Sequence, residues 1–315
     1  MNIAILILEN VLKSAAYGIE DMFMINNDFC KAKDEQEIKT TFVSLEAVKY
    51  FDTVPLSLDT FYDAVIIPPT VNDHSFDVSE KIIAWLIYQY QNKALLASTC
   101  IGSFILAKTK LLDGKEATTH WIYEDKFKKE FPNIKLDINK ILIDQKGIIT
   151  AGGIHAYLDL CLYIIEKTHS NRTANQLANL MIIDKGRDSQ KSYKNFSTIF
   201  LYDDKEIKTI VQWMQDNLHE QISVLDLANR LNITEKTFSR RFKKSLNISP
   251  IQYLKSLRIE KAKELLITTN KKFSDITIEV GYFDESTFRL LFKRETSLNP
   301  REYKHRFKQA INLNA

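Results

Sequence analysis

The chain has 315 residues, 45% of them hydrophobic and 26% charged, with a formal net charge of +3; this is the balance of an ordinary soluble protein with room for two domains. Its three cysteines, Cys30, Cys100 and Cys161, are far apart and form no CxxC pair, which argues against a disulfide framework or a spacing-encoded metal site and fits a reducing cytoplasm. No apolar run approaches the roughly 20 residues of a membrane span, and the opening MNIAILILEN lacks the basic region and cleavage motif of a leader, so neither membrane, metal nor cofactor is expected.

From the N-terminus, residues 2–8 (NIAILIL) read as a buried strand and 15–27 as a helix. IKTTFVSL alternates like a strand, and DAVIIPP (63–69) is a second buried strand stopped by prolines. EKIIAWLIYQYQ is an amphipathic helix, ALLAST (94–99) a strand, and GSFILAKTKLL a helix ended by Asp113-Gly114. KGIITAGG gives a strand and a glycine turn before a helix over 157–169. Strands alternating with helices predict a flavodoxin-like α/β domain over 1–184, a mostly parallel sheet sandwiched by helices. The polar run KGRDSQKSYKNFS places a linker at 185–204. From 205 to 310 the pattern is all-α, with breaks near 219–223, 232–234, 247–250, 270–274, 281–284 and 298–300 that define seven short helices.

Charge follows the same division. Residues 205–315 hold 21 Lys and Arg against 13 Asp and Glu, whereas residues 1–204 hold 22 against 27. A basic module joined to an acidic one points to nucleic acid as the partner of the former. Within the basic part, TFSRRFKKSLNISPIQY (237–253) and TFRLLFKRETSLNPREY (287–303) repeat Thr, Phe, Phe, Lys, Pro and Tyr fifty residues apart, the mark of a duplicated supersecondary unit. In the first copy SVLDLANRL has Leu225, Leu227, Ala228 and Leu231 as its apolar face, Asn232-Ile233 makes a turn, and Thr234 starts a second helix. Phe238 and Phe242 lie four apart on its buried side, leaving Lys236, Ser239, Arg240 and Lys243 outside. The second copy repeats this with Gly281 at the turn, Asp284 as cap, Phe288 and Phe292 inside, and Ser286, Arg289, Lys293 and Arg294 outside. Two helix-turn-helix motifs are therefore expected, near 223–245 and 273–296, joined by a long helical strut, so that two recognition helices could enter successive major grooves of double-stranded DNA.

These residues resemble the AraC/XylS family of transcription regulators. The resemblance rests on Leu227-Ala228, Arg240-Arg241-Phe242-Lys243, Ser249-Pro250, Tyr253, Arg258 and Ala262, then Gly281-Tyr282, Ser286, Phe288, Phe292-Lys293, Pro300 and Tyr303. It implies that Lys236, Ser239 and Arg240 read bases, Arg240 by pairing with guanine. Lys243, Lys244 and Arg258 then meet phosphates or other side chains. Leu290 stands where the family often has Arg, which implies weaker or shifted readout by the second helix, or contact with a thymine methyl.

In the N-terminal part, LLASTCIGSFILAKTKLL (95–112) places Cys100 where a strand turns into a helix. Such an elbow exposes a side chain and directs helix N–H groups at it, which lowers a thiol pKa. This segment, with ATTHW and IITAGGIHAYLDLCLYII, resembles the PfpI-like, class I glutamine amidotransferase-like fold, in the version joined to AraC-type domains in regulators of the GlxA type. The resemblance implies an acid on the first helix, where this chain has Ala15. It implies a His after the elbow Cys in peptidase-like members, where this chain has Ile101, and a backbone donor pair where this chain has Pro68-Pro69. Cys100 is then a vestigial elbow, and no enzyme is expected. His120 is either a base or a structural residue beside Trp121. Ala15, Cys100, Ile101 and His120 are candidates to line a ligand pocket. The domain could sense a small effector, use Cys100 as a redox thiol, or only form a homodimer. Cys161 reads as core, and Cys30 ends a helix. The expected protein is a cytoplasmic, promoter-binding regulator; the alternative is a cysteine-dependent hydratase or amidase fused to a DNA-binding domain.

Overall fold

The computed structural model describes residues 1–31, 35–71, 78–194, 204–246 and 248–308, which divide into two compact units, 1–190 and 191–315. In the first unit the chain runs β1 (Asn2–Leu6), α1 (Lys13–Lys31), β2 (Lys39–Ser44), β3 (Val54–Pro55), β4 (Ala64–Ile67), α2 (Glu80–Gln91), β5 (Leu95–Thr99) and α3 (Gly102–Lys108). It continues with β6 (Glu116–Ala117), α4 (Glu124–Glu130), β7 (Lys135–Leu136), β8 (Leu142–Asp144), β9 (Ile148–Ala151), α5 (Ala156–Thr168) and α6 (Asn171–Leu180). The main sheet has the order β3-β2-β1-β4-β5-β9-β8 and is parallel except for β8, which pairs antiparallel with β9; β6 and β7 form a separate two-stranded ribbon.

The apolar run in β1 is continuous because both faces of the sheet are covered. Ile3, Ile5 and Ile7 pack into a core with α1, α5 and α6, while Ala4 and Leu6 pack into a second core with α2, α3 and Phe127 of α4. Glycines mark two close approaches. A Cβ at Gly102 would lie 2.9 Å from the Ile67 carbonyl, so α3 sits tightly on β4, and one at Gly18 would lie 2.8 Å from the Tyr157 ring, which packs α5 onto α1. The strand order reverses at β1 and β4, where sheets of this kind leave a crevice at their carboxyl ends. Here that edge is stitched by backbone bonds: Leu12 N donates to Pro69 O at 2.8 Å and Val71 N to Asn10 O at 2.9 Å.

The described residues of the second unit form seven helices: α7 (Lys205–Asp216), α8 (Val224–Asn229), α9 (Glu235–Leu246), α10 (Pro250–Thr268), α11 (Phe273–Glu279), α12 (Glu285–Thr296) and α13 (Pro300–Phe307). The repeat is visible in the caps. Ser249 and Asn299 each accept from a backbone N–H three residues on, and each precedes a proline in the first helical turn, where the missing donor costs nothing. The strut α10 serves two cores in succession. Tyr253, Leu254 and Leu257 belong to the core of the first copy, and Ile259, Ala262, Leu265 and Leu266 to that of the second.

At the crossover of α10 lies Arg258, only 8% exposed. It donates to Leu218 O at 3.1 Å and Glu220 O at 2.6 Å, and its guanidinium lies 5.2 Å from the Tyr282 ring. Arg258 is therefore not available to phosphate. Burial against carbonyls and a ring makes it an internal clamp between the two copies. Gly281 completes the clamp. Its φ is +82°, Gln221 Nε2 donates to its carbonyl at 3.1 Å, and a Cβ there would fall 2.4 Å from Leu218 O. No helix among the described residues is long and apolar enough to cross a membrane.

Replacing Gly281 with Ala adds both left-handed strain and a backbone clash, and is expected to destabilise the second unit by about 1–3 kcal/mol or more. Hydrogen exchange of the full chain in increasing urea, read on peptides from α7 to α13, measures this. Unchanged protection in the variant would refute the clamp.

Candidate nucleic-acid interface and the cysteine elbow

The first recognition helix, α9, is placed by local signals. Ser223 and Asp226 cap α8 reciprocally, Asp226 N donating to Ser223 Oγ at 3.1 Å and Ser223 N to Asp226 Oδ2 at 2.9 Å. The chain leaves α8 through Asn232 at φ +55°, and Ile233 N returns to Ala228 O at 3.2 Å, a left-handed C-cap. Thr234 then caps α9 by accepting from Thr237 N. Phe238 and Phe242 are fully buried with ring centroids 5.5 Å apart, and Tyr253 closes against Phe242.

The opposite side of α9 carries Lys236, Arg240, Lys243 and Lys244, all exposed, with Ser239 half-buried beside them. No ion pair among the described residues holds any of these four cations. Arg241 is different: it turns back to α7 and donates to both Asp204 carboxylate oxygens at 2.8–3.0 Å and to Glu206 Oε2 at 2.7 Å. That anchor was not foreseeable, since its acidic partners lie more than thirty residues upstream. Leu225, expected on the apolar face of α8, is half exposed; this six-residue helix buries only Leu227 and Ala228. With Ile233, Asn229 and Asn232, Leu225 lines a shallow groove beside the turn.

The second copy repeats the design with one insertion. Gly281 takes the left-handed position, Tyr282 N returns to Thr277 O at 2.9 Å, and Asp284 caps α12 by accepting from Ser286 N at 2.9 Å. Two residues separate turn from cap here, against one in the first copy, and the extra Phe283 is 78% exposed. Ser286, Arg289, Lys293 and Arg294 all lie on the surface. Arg289, however, is paired with Glu285 one turn earlier and lies over the Phe273 ring, and Arg294 pairs with Glu295. Leu290, in the place of Arg240, is 72% exposed.

The elbow exists as geometry. Cys100 has φ +54°, its N–H donates to Ala151 O at 2.7 Å, and α3 follows directly. Its surroundings oppose the activation that such an elbow can confer on a thiol. The residue is 4% exposed within the core formed by α2 and α3, and burial pushes the thiol up to about 12, the hydrogen bond from the Ile101 backbone opposing only in part. Desolvation of a thiolate outweighs the helix N-terminus here. The four pocket candidates are divided. Ala15 packs with α5 in the other core, Ile101 is buried beside Cys100, and His120 is half-buried on a 3-10 turn. His120 Nδ1 accepts from Ile122 N at 3.2 Å, its ring lies 5.5 Å from that of Trp121, and burial lowers its pKa, so it is a neutral cap. Among the described residues it makes no hydrogen bond to Cys100.

A residue the sequence did not single out ties this region together. Gln190 is 4% exposed and ends the first unit. Its Nε2 lies within 2.9–3.2 Å of Thr118 Oγ1, Thr119 O, Ile138 O and Lys140 O, and its Oε1 accepts from Trp121 N. Gly152 leaves the space, since a Cβ there would fall 2.0 Å from Nε2. Thr119 Oγ1 in turn donates to the Cys100 carbonyl at 2.9 Å. The stretch expected as a linker thus begins fastened: Lys185 pairs with Glu166, Arg187 with Asp159, and Gln190 is plugged into the fold. Within the second unit, Lys263 Nζ donates to Lys194 O at 2.8 Å. Residues 195–203 lie outside the described residues.

Comparison with known proteins agrees with this architecture. Residues 25–167 match the DJ-1/PfpI family and residues 227–306 match a helix-turn-helix domain family. The HTH-type transcriptional regulator CdhR of Pseudomonas aeruginosa is 26% identical over 224 residues, covering 71% of this chain and 66% of that protein. The regulator GbdR of the same species is 25% identical over 226 residues, covering 71% of this chain and 61% of that protein. The chain thus spans just under two thirds of the length of the curated relatives it matches. A solved AraC family transcriptional regulator from Pseudomonas putida has 12% identity and a TM-score of 0.49, covering 58% of this chain and 98% of that one. Fold and surface together define a class, a DJ-1/PfpI-type domain joined to a duplicated helix-turn-helix domain. The chain is similar to HTH-type transcriptional regulators over about 71% of its length, and its two parts match the DJ-1/PfpI family and a helix-turn-helix domain family.

The buried thiol has a direct consequence. In the native chain at pH 8, Cys100 is expected to react with iodoacetamide roughly 100-fold or more slowly than in the urea-unfolded chain, because its thiolate fraction is suppressed by both burial and pKa. Peptide mass spectrometry after timed labelling measures the ratio, and comparable rates would contradict the packing described.

Proposed function

We propose that this chain is a sequence-specific DNA-binding transcription regulator whose N-terminal domain senses a small effector or forms a homodimer without turning over substrate. The observation that carries this reading is the pair of outward helix faces mounted on one strut, α9 with four unpaired cations and α12 with three exposed cations of which Arg289 and Arg294 are paired with neighbouring glutamates. A helix of 19 residues is about 28 Å long, comparable with the roughly 34 Å between successive major grooves on one side of a duplex. Arg240 reads guanine through its two terminal nitrogens, with Lys236 and Ser239 beside it, while Lys243, Lys244, Lys293 and Arg294 meet phosphates. Ser286 and Leu290 face bases in the second half-site, Leu290 against a thymine methyl. Arg289 must first leave Glu285, so this half contributes less base discrimination.

Three features support a non-catalytic N-terminal domain. Cys100 is a buried, protonated thiol, Ala15 supplies no acid, and Pro69 offers a carbonyl already bonded to Leu12 where a donor would be needed. An effector would act through unequal affinity for two arrangements of the domain. The segment 118–121 suits that role, because Thr119 holds the elbow carbonyl and Gln190 locks the segment to the last residue before the second unit. A ligand that displaces this segment changes how the chain leaves the domain, and with it how often both DNA modules of a dimer engage together.

Selection from a random DNA pool with the full chain provides a binding site. On that site Arg240→Ala is expected to lose about 1–3 kcal/mol and to relax base preference at one position; an equal loss on random DNA would show that Arg240 contacts only backbone. Lys243→Ala is expected to weaken both and to lower the slope of log affinity against log salt by about one.

A further inference from the structure

The sequence gives no metal motif, yet among the described residues the fold gathers one set of donors. Cys30, in the last turn of α1, and His169, which follows α5, are 139 residues apart, and Cys30 Sγ lies 3.4 Å from His169 Nε2. Glu35 folds back over the end of α1, its N–H donating to Cys30 O at 3.0 Å. One donor atom from each of Cys30, Glu35 and His169 lies within 4.8 Å of the other two. In a tetrahedral zinc site the bond lengths place a nitrogen and a sulfur ligand about 3.5 Å apart, close to the spacing seen.

Two independent features point to an ion between them. Glu35 Oε2 is buried with no hydrogen-bond partner, an expensive condition for a carboxylate oxygen unless a cation meets it. The surrounding shell also suits a thiolate and a ligating imidazole. Asn26 Nδ2 donates to Cys30 Sγ at 3.3 Å, as it would to a sulfur bearing negative charge. His169 Nδ1 lies 3.2 Å from Thr168 Oγ1, and Nε2 lies 2.8 Å from Gln36 O. The imidazole can carry its proton on Nε2, bonded to the carbonyl, or on Nδ1, bonded to the hydroxyl. The second tautomer frees Nε2 for a metal, with the outer-shell hydrogen bond that orients ligating histidines.

We propose that Cys30, Glu35 and His169 bind one divalent transition ion of the zinc type, with the Gln36 carbonyl or water as fourth ligand. Binding releases one proton from the Cys30 thiol to solvent, shifts the His169 proton from Nε2 to Nδ1, and uses the carboxylate in its ionised form. The nitrogen, sulfur and oxygen donor set selects a borderline-soft ion over magnesium or calcium. The ion would cross-link the end of α1 to the end of α5.

The test is a titration of the full chain, freed of metal by chelation, with Co²⁺ followed by competition with Zn²⁺. One equivalent of Co²⁺ is expected to give a thiolate-to-cobalt charge-transfer band and the intense visible bands of a four-coordinate ion, both removed by one equivalent of Zn²⁺. Cys30→Ser is expected to abolish the charge-transfer band, Cys100→Ala to leave it intact, and His169→Gln and Glu35→Gln each to weaken Zn²⁺ binding by about 10-fold or more. The two glutamine variants alter the partly exposed rim and test the site should Cys30→Ser fail to fold. The proposal is overturned if the folded chain shows no band at one equivalent, if the band survives in Cys30→Ser, or if neither glutamine variant changes Zn²⁺ affinity.

Discussion

One buried guanidinium organises the DNA-binding unit. Arg258 sits at the point where α10 passes from one core to the other, and a cation there must be satisfied or expelled. The carbonyls of Leu218 and Glu220, just past the end of α7, satisfy it, and the face of Tyr282 covers it. The C-terminal end of a helix is where carbonyls without helical partners and the negative end of the macrodipole favour a positive charge. Gly281 is the counterpart of this arrangement, because any side chain would strike the same carbonyl and guanidinium. The separation and orientation of α9 and α12 follow from this clamp and from the rigidity of α10, so the geometry that DNA would meet is built before DNA arrives.

The two copies are alike in their cores and different on their surfaces. The aromatic pairs, proline starts and caps recur because each copy must bury the same face against the strut. The outer faces carry no such constraint. Arg240 has become Leu290, the unpaired cations of α9 contrast with the Glu285-paired Arg289 of α12, and the second turn holds the extra Phe283. A duplicated scaffold with unequal surfaces fits asymmetric half-sites, one read through polar contacts and one through shape and apolar contact.

In the N-terminal unit, burial decides the chemistry. The elbow keeps the left-handed backbone that exposes a nucleophile in catalytic relatives of such folds, yet the packing of α2 and α3 closes over Cys100 and holds it protonated. The polar interactions of the region lie instead in the Thr118–Thr119–Gln190 network, which connects the elbow carbonyl to the end of the unit.

Much of this was legible in the amino-acid order. Unbroken apolar runs marked strands covered on both faces, and the fifty-residue repeat marked the duplicated helices, because periodicity is imposed by which side of an element meets the core. The phenylalanine pairs and the exposed Lys236, Arg240 and Lys243 followed from the same rule. The two-residue strands and α6 escaped notice, being too short or too polar to carry a period. What only the tertiary structure decided were the pairings: Arg258 with Leu218 and Glu220, Arg241 with Asp204, Gln190 with Thr119, Cys30 with His169. Each joins groups 37 to 139 residues apart. Local pattern reports a residue's own preference for water or core, whereas a hydrogen bond, a desolvated thiol or a cluster of ligands depends on which distant segment the fold brings alongside.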